Sequence, residues 1–290
     1  MKYLTVLLLM AFLTACGPAA APANPTPQVE VNSPLPEPES ASLSNSPLET
    51  PTPNSEPSGS EAVAPTWNSD PTNLVVSATF CCGFTTPLVR LNYIADASVW
   101  GDGRIVWVEY DDQAGRQVLT DVLTPAQLEA FLQQAITAGF FEWEDRYADQ
   151  SIADAADQCL TINLIGQAKQ VCQYVQGAPA AFTTLYETVA DGAGATGTAF
   201  IPVKGYLTAT PVDLPPDSNV PVNVEWPAQN LDFSLSEATD GLWVEGEILT
   251  TAWEIINPNW QGMILQEGEA TYQLSLQMPD LSYTEPPVAN

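Results

Sequence analysis

Apolar and polar positions change their rhythm at about residue 72. From there, Val75-Val76-Ser77-Ala78-Thr79-Phe80 is rich in β-branched residues and predicts a strand, and residues 88–94 alternate apolar with polar. Residues 98–100 lead into Gly101-Asp102-Gly103 and then into 104–110. The two glycines supply the positive φ angles of a tight hairpin, which leaves Trp100, Ile105 and Trp107 for a sheet face. Asp102 is then a turn residue rather than a metal ligand.

Helical spacing takes over at Thr124-Pro125-Ala126-Gln127, where a capping hydroxyl, a proline and a glutamine three residues after the cap open a helix. Leu128, Phe131, Leu132, Ala135 and Ile136 form one apolar stripe, Gly139 ends it, and Phe140 and Phe141 plug the core. A second hairpin is expected over 159–175 around Gly166. Pro179 then starts a helix that turns Phe182, Leu185, Tyr186 and Val189 inward, and the run 191–194 closes the unit. Farther on, 200–209, 220–226 and 270–278 have strand character. Ile248, Leu249, Ala252, Trp253, Ile255 and Ile256 stripe a short helix after Gly246. The fold class expected is α+β: a disulfide-stapled strand-hairpin-helix-hairpin-helix domain over 72–194, then a smaller β-rich α+β domain over 195–290 that ends in a short tail. Gly192-Ala193-Gly194-Ala195-Thr196-Gly197 reads as the linker between them, because no strand-to-helix unit surrounds it to make a dinucleotide site.

Composition separates the region before residue 72. Residues 17–71 hold half of the 26 prolines, seven acidic residues, no basic residue and one aromatic, Trp67. Such a segment buries too little apolar surface to offset its ordering entropy. Residues 16–71 are therefore expected to be a disordered stalk, reaching on the order of 100 Å where polyproline-like stretches dominate. Ahead of it, Lys2, the apolar run 3–13 and Leu13-Thr14-Ala15-Cys16 have the layout of a signal peptide cut after residue 15. The run is too short to span roughly 30 Å of hydrocarbon as a helix. Those last four residues resemble the lipobox of bacterial lipoproteins. The resemblance implies diacylglycerol on the Cys16 thiol and usually an acyl chain such as palmitate on its amine, an anchor that holds stably to a bilayer.

Charge then narrows the partners. The chain has seven basic and 35 acidic residues, a formal net charge of −28, so it repels phosphate backbones and anionic head groups. Nucleic acid is excluded as a partner, and membrane attachment must come from the lipid on Cys16. The chain has no histidine, which removes Ser-His-Asp and Cys-His nucleophiles, most catalytic zinc sites and ordinary haem ligation. No cofactor is implied.

Cys81, Cys82, Cys159 and Cys172 remain beyond the anchor. An even count in an oxidising compartment favours two disulfides. Cross-links from the Cys81-Cys82 pair to Cys159 and Cys172 are expected, since a bond between neighbours is strained. The alternative is a rung from Cys159 to Cys172 across the second hairpin, leaving the vicinal pair to itself. The spacing lacks the paired CxxC knuckles of a zinc site. Glu142, Glu144, Asp145 and Asp149 cluster after the first helix. Two of them could hydrolyse a glycoside, but a solvated acidic face is the expected reading, and EF-hand spacing is absent. Of eight tryptophans, Trp100, Trp107 and Trp253 sit within apolar periodicity and belong to cores. Trp143, Trp226 and Trp260 lie beside polar or proline residues and are the candidates for ligand contact.

In the order of its parts, 72–194 resembles an uncharacterised domain of bacterial envelope proteins and lipoproteins. The matching parts are the cysteine loop before Pro87, the strand pair turned at Gly101-Asp102-Gly103, the helix ending in Ala138-Gly139-Phe140-Phe141, a hairpin and a proline-started helix. That family's loop often carries a cysteine where this chain has Thr86, so its disulfide pairing does not carry over, and it brings no activity. The function expected is a non-catalytic, membrane-anchored surface lipoprotein that presents a binding module to an envelope protein or glycan. A carboxylate-dependent glycan or wall hydrolase and a surface inhibitor of a hydrolase are the alternatives.

Overall fold

The computed structural model describes residues 64–111, 115–148, 151–214 and 222–288. All of these lie within one compact unit, Ser60–Asn290. The expected signal segment, Cys16, the stalk as far as residue 63, and Asp149 fall outside the described residues. The architecture is α+β, with two sheets and few helices.

The first sheet has eight strands: β1 Leu74–Cys81, β2 Ala97–Trp100, β3 Arg104–Asp111, β4 Gly115–Val122, β5 Arg146–Ala148, β6 Asp157–Leu164, β7 Gln167–Tyr174 and β8 Thr198–Ala199. Their order is β5-β7-β6-β1-β2-β3-β4-β8, and β5 lies parallel to β7 where the other neighbours are antiparallel. The second sheet is formed by β9 Gly205–Pro211, β10 Val222–Glu225, β11 Leu242–Val244, β12 Ile264–Glu267 and β13 Ala270–Gln277, in the order β10-β12-β13-β9-β11. The helices are α1 Pro87–Asn92, α2 Pro125–Thr137, α3 Ala180–Ala190, α4 Ala228–Leu231 and α5 Gly246–Ile256.

Strand β3 explains how the two sheets share the chain. Its apolar run Ile105-Val106-Trp107-Val108 is buried throughout because both of its faces are covered. Ile105 and Trp107 enter a core with Leu128, Phe131 and Leu132 of α2 and Phe182 and Leu185 of α3. Val106 and Val108 point the other way, into a core with Leu207, Leu274, Leu276 and the α5 residues Leu249 and Trp253. Period-two alternation thus divides one strand between two cores.

Local signals place several elements as the sequence leads one to expect. In α2 the Thr124 hydroxyl accepts from the Gln127 amide at 3.2 Å while the Gln127 side chain accepts from the Thr124 amide at 2.9 Å, a reciprocal cap. Gly139 adopts φ 80° just past its end. Ile136, counted in the apolar stripe, is 37% exposed.

Two expectations are corrected. Residues 88–94, with their strand-like alternation, instead begin within α1, because Thr86 caps its first turn and Pro87 fixes the φ of a helical start. The expected cross-links from Cys81 and Cys82 to the other cysteines are not formed. Cys159 and Cys172 stand directly opposite each other on β6 and β7, with Cα atoms 4.0 Å apart, and are bonded; Cys81 and Cys82 pair with each other. Gly192 and Gly197, at the two ends of the run 192–197, lie against the Trp107 ring, which a Cβ at Gly197 would meet at 2.5 Å.

One side chain ties α1 to the second sheet by hydrogen bonds. β12 pairs with β13 only as far as Tyr272. Beyond that point the buried Asn92 continues the edge: its Nδ2 donates to the Leu274 carbonyl at 3.1 Å and its Oδ1 accepts from the Leu276 amide at 3.0 Å. An asparagine amide, with one donor and one acceptor, reproduces the pair of groups a neighbouring strand would offer.

Candidate functional site

The end of α1 builds a cleft. Tyr93, at the helix C-cap, leaves in extended geometry and leads toward β2. Its hydroxyl accepts from the Phe80 amide at 2.6 Å and donates to Asp96 Oδ1 at 3.2 Å. From α3, the Tyr186 hydroxyl donates to Asp96 Oδ2 at 2.5 Å. A carboxylate is thereby held between two phenols from separate elements. Burial raises the Asp96 carboxyl above the ordinary aspartate range, and the hydrogen bonds from Tyr186 and Tyr93 pull in the opposite direction. Burial, with the Asp96 charge second, likewise raises the Tyr93 and Tyr186 hydroxyls.

Aromatic rings form the walls above this floor. Tyr110 near the end of β3 and Trp260 after α5 have ring centres 6.4 Å apart, and the Tyr93 ring lies 6.1 Å from Trp260. Burial, then the Asp96 charge, lifts the Tyr110 hydroxyl to about 12. The space enclosed is about 350 Å³, within the range of small-molecule sites. Phe80, Val89, Ala156 and the Cys81-Cys82 pair add apolar lining, Thr85 and Gln261 add polar groups, and among the described residues Asp96 is the single carboxylate there. The same cysteine pair borders a second cleft of about 400 Å³ that contains Arg90, Asp154 and Asp157.

Arg116 braces the aromatic wall. Its guanidinium lies 5.3 Å from the Trp260 ring centre and 6.0 Å from that of Trp253, donates through Nε to Asn257 Oδ1 at 2.8 Å, and through Nη1 to the Asn92 carbonyl at 2.8 Å. Burial lowers its pKa to about 10, so it stays protonated at neutral pH. A larger groove of about 620 Å³, bordered by Leu88 and Leu91 of α1 and by Gln273, has no ionisable or aromatic lining.

The residues singled out from the sequence fare unequally. Trp260 lines the cleft. Trp143 is half-buried with its ring 5.5 Å from that of Phe140. Trp226, expected to be free for ligand contact, is instead 3% exposed and donates to the Phe233 carbonyl at 3.2 Å, which makes it a core residue. Glu142, Glu144 and Asp145 are exposed, line none of these clefts, and Asp145 is paired with Lys169. Sequence reading missed Asp96, Tyr93, Tyr110 and Arg116. Asp96 alone left a trace there, as an acid inside the otherwise apolar or small run Ile94-Ala95-Asp96-Ala97-Ser98-Val99.

No helix among the described residues is long and apolar enough to cross a membrane. No protein-family model, curated protein or solved structure matches this chain.

Proposed function

We propose that this chain is a non-catalytic, lipid-anchored envelope protein. Lipid on Cys16 holds it at the membrane, the proline-rich stalk carries it outward, and the folded part presents a binding module. That part is read as a strand-hairpin-helix-hairpin-helix unit followed by a smaller β-rich one. The observation that carries the binding reading is the cleft of about 350 Å³ with aromatic walls and one half-buried carboxylate. Its lining favours binding over hydrolysis, because glycoside cleavage needs two carboxyl groups flanking the bond and Asp96 stands there without a second among the described residues.

Equilibrium dialysis of the full chain carrying Cys16→Ser, against a low-molecular-weight extract of the host, tests the site. The wild-type cleft is expected to retain a compound that Trp260→Ala loses. Equal retention by both chains, or none by either, overturns the assignment. For the anchor, a Cys16→Ser protein that still fractionates with membranes contradicts the proposal.

A further inference from the structure

Building on that reading of the cleft, we infer that its ligand is a small organic cation, with an ammonium group seated against Asp96 and surrounded by Tyr93, Tyr110 and Trp260. Three observations converge on this class. A carboxylate drawn out of water is ordinarily matched by a cation, yet among the described residues no Lys or Arg forms an ion pair with the half-buried Asp96, whose oxygens receive the two phenols. Ionised carboxylate oxygens together accept about four hydrogen bonds, so acceptor capacity remains on the side that lines the cleft. Tyr93, Tyr110 and Trp260 all line the cleft, and aromatic faces attract an ammonium, best of all a methylated one that has little hydration to lose; the Trp260 ring already takes one cation, Arg116, at 5.3 Å.

The electrostatics also exclude the opposite class. Arg116 beside the aromatic wall is engaged by Asn257 and Asn92 and sits against Trp260, and Arg90 lies in the neighbouring cleft with Asp154 and Asp157. An anion entering the cleft would meet Asp96 and a chain of net charge −28. The apolar wall of Phe80, Val89 and Cys81-Cys82 suits the methyl or methylene groups of an amine, and Thr85 and Gln261 on the same lining offer partners for a hydroxyl beside it. Ammonium groups occur free and on lipid headgroups; the phosphate of the latter is repelled by this acidic surface, which favours the free form.

Isothermal titration calorimetry of the full chain with its disulfides intact uses choline, the alcohol in which carbon replaces its ammonium nitrogen, and phosphatidylcholine vesicles. Choline is expected to bind at least about tenfold more tightly than its neutral counterpart, and Asp96→Asn to erase that preference. Tyr110→Ala, at a ring that is 59% exposed, should weaken choline binding by about three- to tenfold. Equal binding of the two alcohols, abolished by Trp260→Ala, would keep the cleft as the ligand site and overturn the cation. Binding of neither would overturn both, and binding of vesicles without choline would overturn the free ligand.

Discussion

Replacing Asn92 by alanine tests how the second sheet is joined to α1. The substitution removes the donor to the Leu274 carbonyl and the acceptor for the Leu276 amide, both on a strand edge that β12 has stopped covering. Leu274 and Leu276 are each 2% exposed, so water does not readily replace the lost groups. Stranding a buried main-chain donor or acceptor costs about 1–3 kcal/mol. Two such groups, less relief from any water that enters the vacated space, give an expected loss of about 2–4 kcal/mol. The Asn92 carbonyl that receives Arg116 belongs to the backbone and is kept. Urea unfolding followed by tryptophan fluorescence measures the change, with the slope against denaturant compared to confirm that a similar surface is exposed. A loss under about 1 kcal/mol would refute the view that this amide stands in for a missing strand.

Other consequences are open to measurement. Replacing Cys159 and Cys172 together with alanine removes a bridge of sequence separation 13 and should cost about 3 kcal/mol by chain entropy; a non-reducing peptide map that joins either cysteine to Cys81 or Cys82 would contradict the pairing. Gly197→Ala places a methyl 2.5 Å from the Trp107 ring at φ 73°, and thermal unfolding should register a loss of about 2–4 kcal/mol, where no change would show that the ring can yield. Because burial raises Asp96, the folded state holds its proton more tightly than the unfolded chain does. Its stabilising contribution is therefore complete below the unfolded aspartate pKa and is lost as pH rises through the raised folded value. The stability of wild type relative to Asp96→Asn should fall over that interval, and a difference that grows with pH would contradict the shift.

The fold was more legible than the site because its signals are local. Capping at Thr124 and the stripe from Leu128 to Ala135 need only a few neighbouring residues to be read, and Gly166 marks its turn in the same way. Residues 88–94 misled because a six-residue helix has too few turns for its period to compete with alternation, and only Thr86-Pro87 betrays it. β11 and β12 were missed because three or four residues carry little periodicity, and β9 beside β11 and β10 beside β12 lie far back along the chain. The cleft draws Asp96, Tyr110, Tyr186 and Trp260 from four separate stretches, so no spacing in the chain foretells it. Trp226 shows the converse: its polar and proline neighbours suggested exposure, but the indole finds its own acceptor at Phe233 and so can be buried whole.

Native mass spectrometry of the full-length protein released from its own membranes tests the central claim most directly, since one spectrum reads both ends of the proposal. The account predicts a chain beginning at a lipid-modified Cys16, carrying a small compound in the folded state that Trp260→Ala does not retain. An unmodified Cys16, or a folded protein without any compound that Trp260→Ala can abolish, would contradict it.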